Sequence, residues 1–162
     1  MAKRTDIRIR RFKRSNLPAI RELIRNTIDI CYSADYPKEA IKYFKEYHSD
    51  KNILKDARDG WTIVLVKNNR IIATGTIIDN HIMRVFVNPK FQKRGFGKLI
   101  MRKLEEKAIS TGVKKVKLDA SLPSKKFYDS MGYKTSKKTY VKVENDKKLH
   151  YYKMNKALSG VT

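Results

Sequence analysis

Apolar residues along the chain switch between two periods. Ile7 and Ile9 alternate with polar neighbours and Phe12 follows, so residues 6–12 read as a strand. Leu17, Ile20, Leu23, Ile24 and Ile28 then recur at helical spacing, which predicts an amphipathic helix over 17–31. Ser15-Asn16 offers its N-cap, and Pro18 suits a first helical turn. A second helix is expected from Pro37 to about His48, with Ala40, Ile41 and Phe44 on its apolar face. Beyond the Asp59-Gly60 turn, 61–66, 71–78 and 81–87 read as strands separated by Asn68-Asn69 and Asp79-Asn80. Three strands in such close succession make an antiparallel meander.

The helical period returns over 97–111, where Leu99, Ile100, Leu104, Ala108 and Ile109 are the apolar positions and Gly112 closes the helix. Residues 113–120 alternate as a strand, and a short helix runs from about Pro123 to Gly132. The segments 133–143 and 149–154 flank the polar Glu144-Asn145-Asp146-Lys147 and read as a closing hairpin. The order is β-α-α-β-β-β-α-β-α-β-β. Its strand–helix–strand unit requires one parallel pair, and its hairpins require antiparallel neighbours. The expected fold is therefore α/β, with a mixed, mostly antiparallel sheet and helices on both faces. One domain spanning 1–162 is expected, since no linker, repeat or low-complexity run interrupts the pattern.

Charge changes the picture more than composition does. The 162 residues carry 38 Lys+Arg against 16 Asp+Glu, a net charge of +22, and the 41% hydrophobic content is too rich for a disordered basic tail. The excess is lopsided: +7 over residues 1–81 and +15 over 82–162. Such a half attracts polyanions, namely nucleic acid, an acidic membrane or a phosphate-rich cofactor. Lys outnumbers Arg 26 to 12, however, and phosphate readers favour Arg forks, so general lysine richness is the competing explanation. The single cysteine excludes an internal disulfide framework and a Cys-based zinc site. No window approaches the roughly 18 apolar residues of a spanning helix, and no apolar stretch follows the basic N-terminus. A cytoplasmic protein without a membrane partner is expected, as monomer or homodimer. No cluster of His and carboxylates suggests a metal.

The informative stretch joins the strand Val85-Phe86-Val87 to the helix through Asn88-Pro89-Lys90-Phe91-Gln92-Lys93-Arg94-Gly95-Phe96-Gly97-Lys98. A strand, a glycine loop and a helix start aim unpaired amides at an anion. A Walker loop needs four residues between its first glycine and Gly-Lys-Ser/Thr; here one residue separates the glycines and Leu99 follows Lys98. A dinucleotide fingerprint needs a third glycine where Ile100 stands. The string Gln92-Lys93-Arg94-Gly95-Phe96-Gly97 instead resembles the Q/R-x-x-G-x-G/A signature of the GNAT superfamily of N-acetyltransferases. The run Ser121-Leu122-Pro123-Ser124-Lys125-Lys126-Phe127-Tyr128-Asp129-Ser130-Met131-Gly132-Tyr133 is similar to that family's second motif, commonly N-x-x-A-x-x-F-Y-x-x-x-G-F. Ser121 stands where Asn is common, and Ser124 where Ala is common. The resemblance covers residues 6–158 and is strongest over 85–133.

The resemblance implies an acetyl-CoA-dependent N-acetyltransferase that acts on a primary amine by direct transfer in a ternary complex. It places the coenzyme's pyrophosphate at Gln92, Lys93, Arg94, Gly95, Phe96, Gly97 and Lys98. The thioester would lie along Val85, Phe86 and Val87, where the strand is expected to splay from its neighbour, and Ser121 would face the pantetheine arm. Lys126, with Lys125 beside it, would meet the 3′-phosphate. Tyr128 is the candidate proton donor to the coenzyme sulfur, and His81 the candidate base, because histidine titrates near neutrality. A positive half-domain is expected to lower the Tyr128 pKa. His48 and His150 read as structural, and Cys31 as core. The acceptor stays open among a small amine, a protein N-terminus or lysine, and aminoacyl-tRNA or a ribosomal partner. A catalytically silent module that binds RNA or protein through its basic face is the alternative.

Overall fold

Strands that are apolar on both faces must be covered on both sides, and the central strands of this chain have that character. The computed structural model describes residues 6–158, so the expected domain of 1–162 extends past the described residues at both ends. The elements run β1 (Ile7–Arg11), α1 (Leu17–Cys31), α2 (Lys38–Tyr47), α3 (Asp50–Asp59), β2 (Trp61–Lys67), β3 (Arg70–Ile78), β4 (His81–Val87), α4 (Phe96–Ser110), β5 (Lys115–Ser121), α5 (Lys125–Ser130), β6 (Lys134–Lys142) and β7 (Lys148–Ala157). The seven strands form one sheet ordered β1-β2-β3-β4-β5-β7-β6, antiparallel throughout except between β4 and β5. Alternation along β2 sets the two layers. Ile63 and Leu65 enter a core with Ile100, Met101 and Leu104 of α4, while Val64 and Val66 enter another with Ile20, Ile24 and Ile28 of α1. Full burial of each such side chain contributes about 1.5–3 kcal/mol. The mixed sheet with helices on both faces is as the sequence pattern predicts.

One element is additional. Residues 50–59 form α3, where the sequence reading has only a turn at Asp59-Gly60. Ser49 caps the helix, its Oγ accepting from the Asn52 N–H at 3.3 Å, and Ile53 is its one fully buried side chain. One buried contact on a ten-residue helix is too faint a stripe to register as a period.

The feature that positions the site is a failure of pairing. β4 and β5 are in register only where His81 meets Lys117, so the sheet opens beyond that point toward Val85 and Val87. On its other edge β4 stays paired with β3, but the register slips between Thr74 and Thr76. Arg84 takes up the extra residue with φ of +55°. Such a bulge bends the strand and re-aims its side chains. Phe86 pairs with Thr74, and the Asn88 N–H bonds the Ile72 carbonyl at 2.8 Å. The alternation of an antiparallel ladder therefore turns the backbone groups of Val85 and Val87 into the opening.

Candidate active site

The loop after β4 is built to leave its amides bare. Asn88 Oδ1 accepts from the Lys90 N–H at 2.9 Å and starts a tight turn over Pro89–Phe91. Gln92 Nε2 donates to the Val87 carbonyl at 3.0 Å and lies 3.6 Å from Cys31 Sγ, so this side chain braces the loop from within. Lys93 then adopts φ of +62° and Gly95 φ of +87°, and α4 begins. Left-handed backbone turns successive N–H groups toward one side. Among the described residues, none of the N–H groups from Lys93 to Lys98 has a hydrogen-bond acceptor; the first that does is that of Leu99, bonded to the Gly95 carbonyl at 3.2 Å. This cradle suits an anion. Phe96 is buried in the core, so its contribution to the cradle is its N–H alone. Gly97 faces inward: a Cβ there would stand 3.0 and 3.2 Å from the Phe127 ring.

Phe127 leads to the second part of the site. The next residue, Tyr128, is only 7% exposed, whereas Phe127 and Met131 are partly buried. The inward member of α5 is thus the tyrosine, which packs against Phe127 at 5.2 Å and Tyr133 at 5.8 Å between ring centroids. Tyr128, Val85, Ser121 and His81 line one cavity of about 170 Å³ in the opening between β4 and β5. The Tyr128 hydroxyl has no protein partner among the described residues, and it is not a sealed polar atom. Burial, with Tyr32 beside it, pushes its pKa up. The expectation that the basic half lowers it is corrected: loss of water outweighs distant positive charge.

His81 Nε2 lies 3.8 Å from Asp119 Oδ2 across the start of the opening. Burial lowers the imidazole pKa against the pull of Asp119, so the ring is neutral at pH 7. Ser121 Oγ is 2.7 Å from Ser124 Oγ, and the Tyr32 hydroxyl faces both. Tyr36 holds this turn in place: its Oη accepts from the Leu122 N–H at 2.9 Å and donates to the His150 carbonyl at 2.6 Å. Lys125 is engaged with Asp129 at 2.8 Å, while Lys126 is exposed and forms no ion pair among the described residues. Lys93, Arg94 and Lys98 are exposed around the cradle.

Two cavity groups, and the carboxylate behind them, escape sequence reasoning. Arg84 is buried, its side chain 3% exposed, and its Nη1 donates to Asp56 Oδ2 at 2.8 Å. Its Nε donates to His48 Nδ1 at 3.0 Å. His48 lies edge-on to Phe86 and Tyr47 in the cavity wall. Arg84 occupies what reads as an ordinary strand position, and only the bulge turns it inward.

A family model for the acetyltransferase (GNAT) domain matches residues 32–158. Solved structures share the fold at low identity. A GCN5-related N-acetyltransferase (aminotransferase, class-II) from Rhodopseudomonas palustris superposes with a TM-score of 0.86 at 17% identity, over 98% of this chain and 100% of that one. The PaiA N-acetyltransferase from Thermoplasma acidophilum, solved in complex with coenzyme A, gives 0.73 at 18% identity over 94% and 99%. The ribosomal-protein-S18-alanine N-acetyltransferase from Escherichia coli gives 0.71 at 15% identity over 97% of each chain.

Proposed function

Because the chain belongs to the GNAT family of acetyltransferases, we propose that it transfers an acetyl group from acetyl-CoA to a primary amine by direct transfer in a ternary complex. The observation that carries this reading is the continuity of two features. The bare amides of Lys93–Lys98 abut Phe127 through Gly97, and the next residue, Tyr128, lines the cavity in the strand opening. Acetyl-CoA would supply the activated acetyl thioester. The cradle fits its pyrophosphate, with Lys93, Arg94 and Lys98 around it as screening cations and Lys126 left for the 3′-phosphate, and the Val85 and Val87 backbone groups face the place where its arm would run. Tyr128 Oη keeps a proton for the sulfur. His81 Nε2 takes one from the acceptor ammonium, and Asp119 stabilises the resulting imidazolium. The cavity lining holds no cysteine, which supports transfer without a covalent enzyme step.

Amine-dependent thiol release from acetyl-CoA across a panel of primary amines tests the reading; a protein that binds no coenzyme would overturn it. The same assay read against pH tests His81. Its lowered pKa leaves the imidazole unprotonated at neutral pH, so wild-type activity should decline only as pH falls below about 6.5. His81→Ala should lose activity near pH 7 and regain it as pH approaches the amine's own pKa, where neutral amine needs no base. An unaltered profile removes His81 from the chemistry.

A second reading concerns the basic half. β6 and β7 carry seven lysines and no acidic residue. Their register puts Lys138 opposite Tyr152, Tyr140 opposite His150 and Lys142 opposite Lys148 on one face. Tyr140 is 43% exposed, with Lys148 Nζ 4.5 Å from its ring centroid. Lysines interleaved with open aromatics suit a nucleic-acid strand. Bulk tRNA should bind with log K falling by about 0.7–0.9 per neutralised phosphate for each unit of log salt, so that five contacts cost about 10²-fold or more between 50 and 200 mM. Full displacement by saturating coenzyme would show that only the cradle is being read.

A further inference from the structure

His48 presents to the cavity a group whose proton is placed from behind. A guanidinium carries N–H donors and no acceptor. Since Arg84 Nε donates to His48 Nδ1, that nitrogen holds the lone pair and the ring proton sits on Nε2. A second proton would break the bond and set two cations side by side. Burial and Arg84 together hold the His48 pKa at about 3. The anchor is firm, because Arg84 is gripped by Asp56 and its backbone is locked in the bulge. Nε2 has no acceptor among the described residues and is not a sealed unpaired atom, and His48 lines the cavity. His81 and Asp119 border the same cavity from the β4–β5 side. The Tyr47 ring stands edge-on to His48 at 5.1 Å between centroids and borders the same cavity.

We propose that His48 Nε2–H is a fixed donor that reads a carbonyl or carboxylate oxygen beside the acceptor's amine. The acceptor class is then an α-amino acyl compound, a free amino acid or a peptide N-terminus, in preference to a plain alkylamine. This rests on the acetyltransferase reading above. The amine lies toward His81 and Asp119, where a base and a negative charge await it. The oxygen lies toward His48, whose N–H is present at every pH from acid to alkaline. An alkylamine leaves that N–H without a partner.

The test compares kcat/KM for alaninamide, alanine and propylamine in wild type, His48→Ala and His48→Gln. Referring each variant to wild type on the same acceptor cancels the amines' different basicities. His48→Ala should lower the alaninamide-to-propylamine or alanine-to-propylamine preference about tenfold, mainly through KM. His48→Gln offers Arg84 an oxygen and the cavity an N–H, and should recover most of the preference. A loss confined to alaninamide identifies a peptide N-terminus, and one confined to alanine a free amino acid. An equal loss on all three acceptors, or no loss, overturns the proposal and leaves acetyl transfer standing. Absence of thiol release with any amine in wild type overturns both. Independently of any variant's folding, the His48 Nε2 proton resonance of wild type saturated with coenzyme A should shift on adding alaninamide or alanine and not propylamine; no shift with either acyl compound also overturns the proposal.

Discussion

Tyr128→Phe is expected to lower kcat by roughly 10²–10⁴-fold while leaving the KM for acetyl-CoA little changed. The substitution is clean for structural reasons. The ring contacts with Phe127 and Tyr133 survive it, and the hydroxyl it removes has no protein partner to leave unsatisfied. What disappears is a single proton. Burial holds that proton firmly, which alone would make donation harder than from an exposed tyrosine. A thiolate formed in the same dry opening is destabilised for the same reason, so the gap between the two groups decides, and both rise together. Wild-type turnover in the variant would reduce Tyr128 to a packing residue.

Gly97→Leu should weaken coenzyme A binding at least 100-fold, about 2.7 kcal/mol, in calorimetric titration. The first added carbon already meets the Phe127 ring at 3.0 and 3.2 Å. A leucine has to push that ring, and with it the α5 turn that carries Tyr128, while standing over the amides of 96–98. Catalysis and binding should therefore fail together. A circular dichroism spectrum matching wild type would show that the sheet is intact. Unchanged affinity would mean that the cradle is not where the coenzyme's phosphates sit.

The sheet, its two helical layers and the loop that precedes α4 are legible because each rests on a local signal: a hydrophobic period, a turn pair or a glycine spacing. The positions of the cradle and of Tyr128 are marked by two separate motifs, 92–97 and 121–133, each confined to a short stretch. The missing parts are non-local. α3 hides behind Lys51, Lys55 and Arg58, with only Ser49 as a start signal and Ile53 as a buried anchor. Without α3 there is no place for Asp56, and without Asp56 a buried Arg84 has no reason to exist. The bulge adds a second obstacle, since it inverts the face on which alternation would put Arg84. His48 then reads as a polar residue at a helix end, because the guanidinium that fixes its tautomer lies 36 positions away. The opening between β4 and β5 is likewise a pairing that does not happen; no residue marks it, and the splay at Val85–Val87 is expected only through the family resemblance.

The place of β7 in the sheet bears on how the protein is made. This strand, last of the seven described, lies between β5 and β6 and supplies Met154 to one core and Leu149 to the other. Its Tyr151 lines the cavity, and its His150 carbonyl is the acceptor that seats Tyr36. A nascent chain emerging from the ribosome therefore displays β1 to β5 with one sheet edge bare and the pocket wall absent. Only when residues 148–157 clear the exit tunnel can that edge be covered and the tyrosine clip close. Co-translational folding should accordingly stall short of a competent site until residues 148–157 are available, and a chain truncated before residue 148 should be aggregation-prone and inactive.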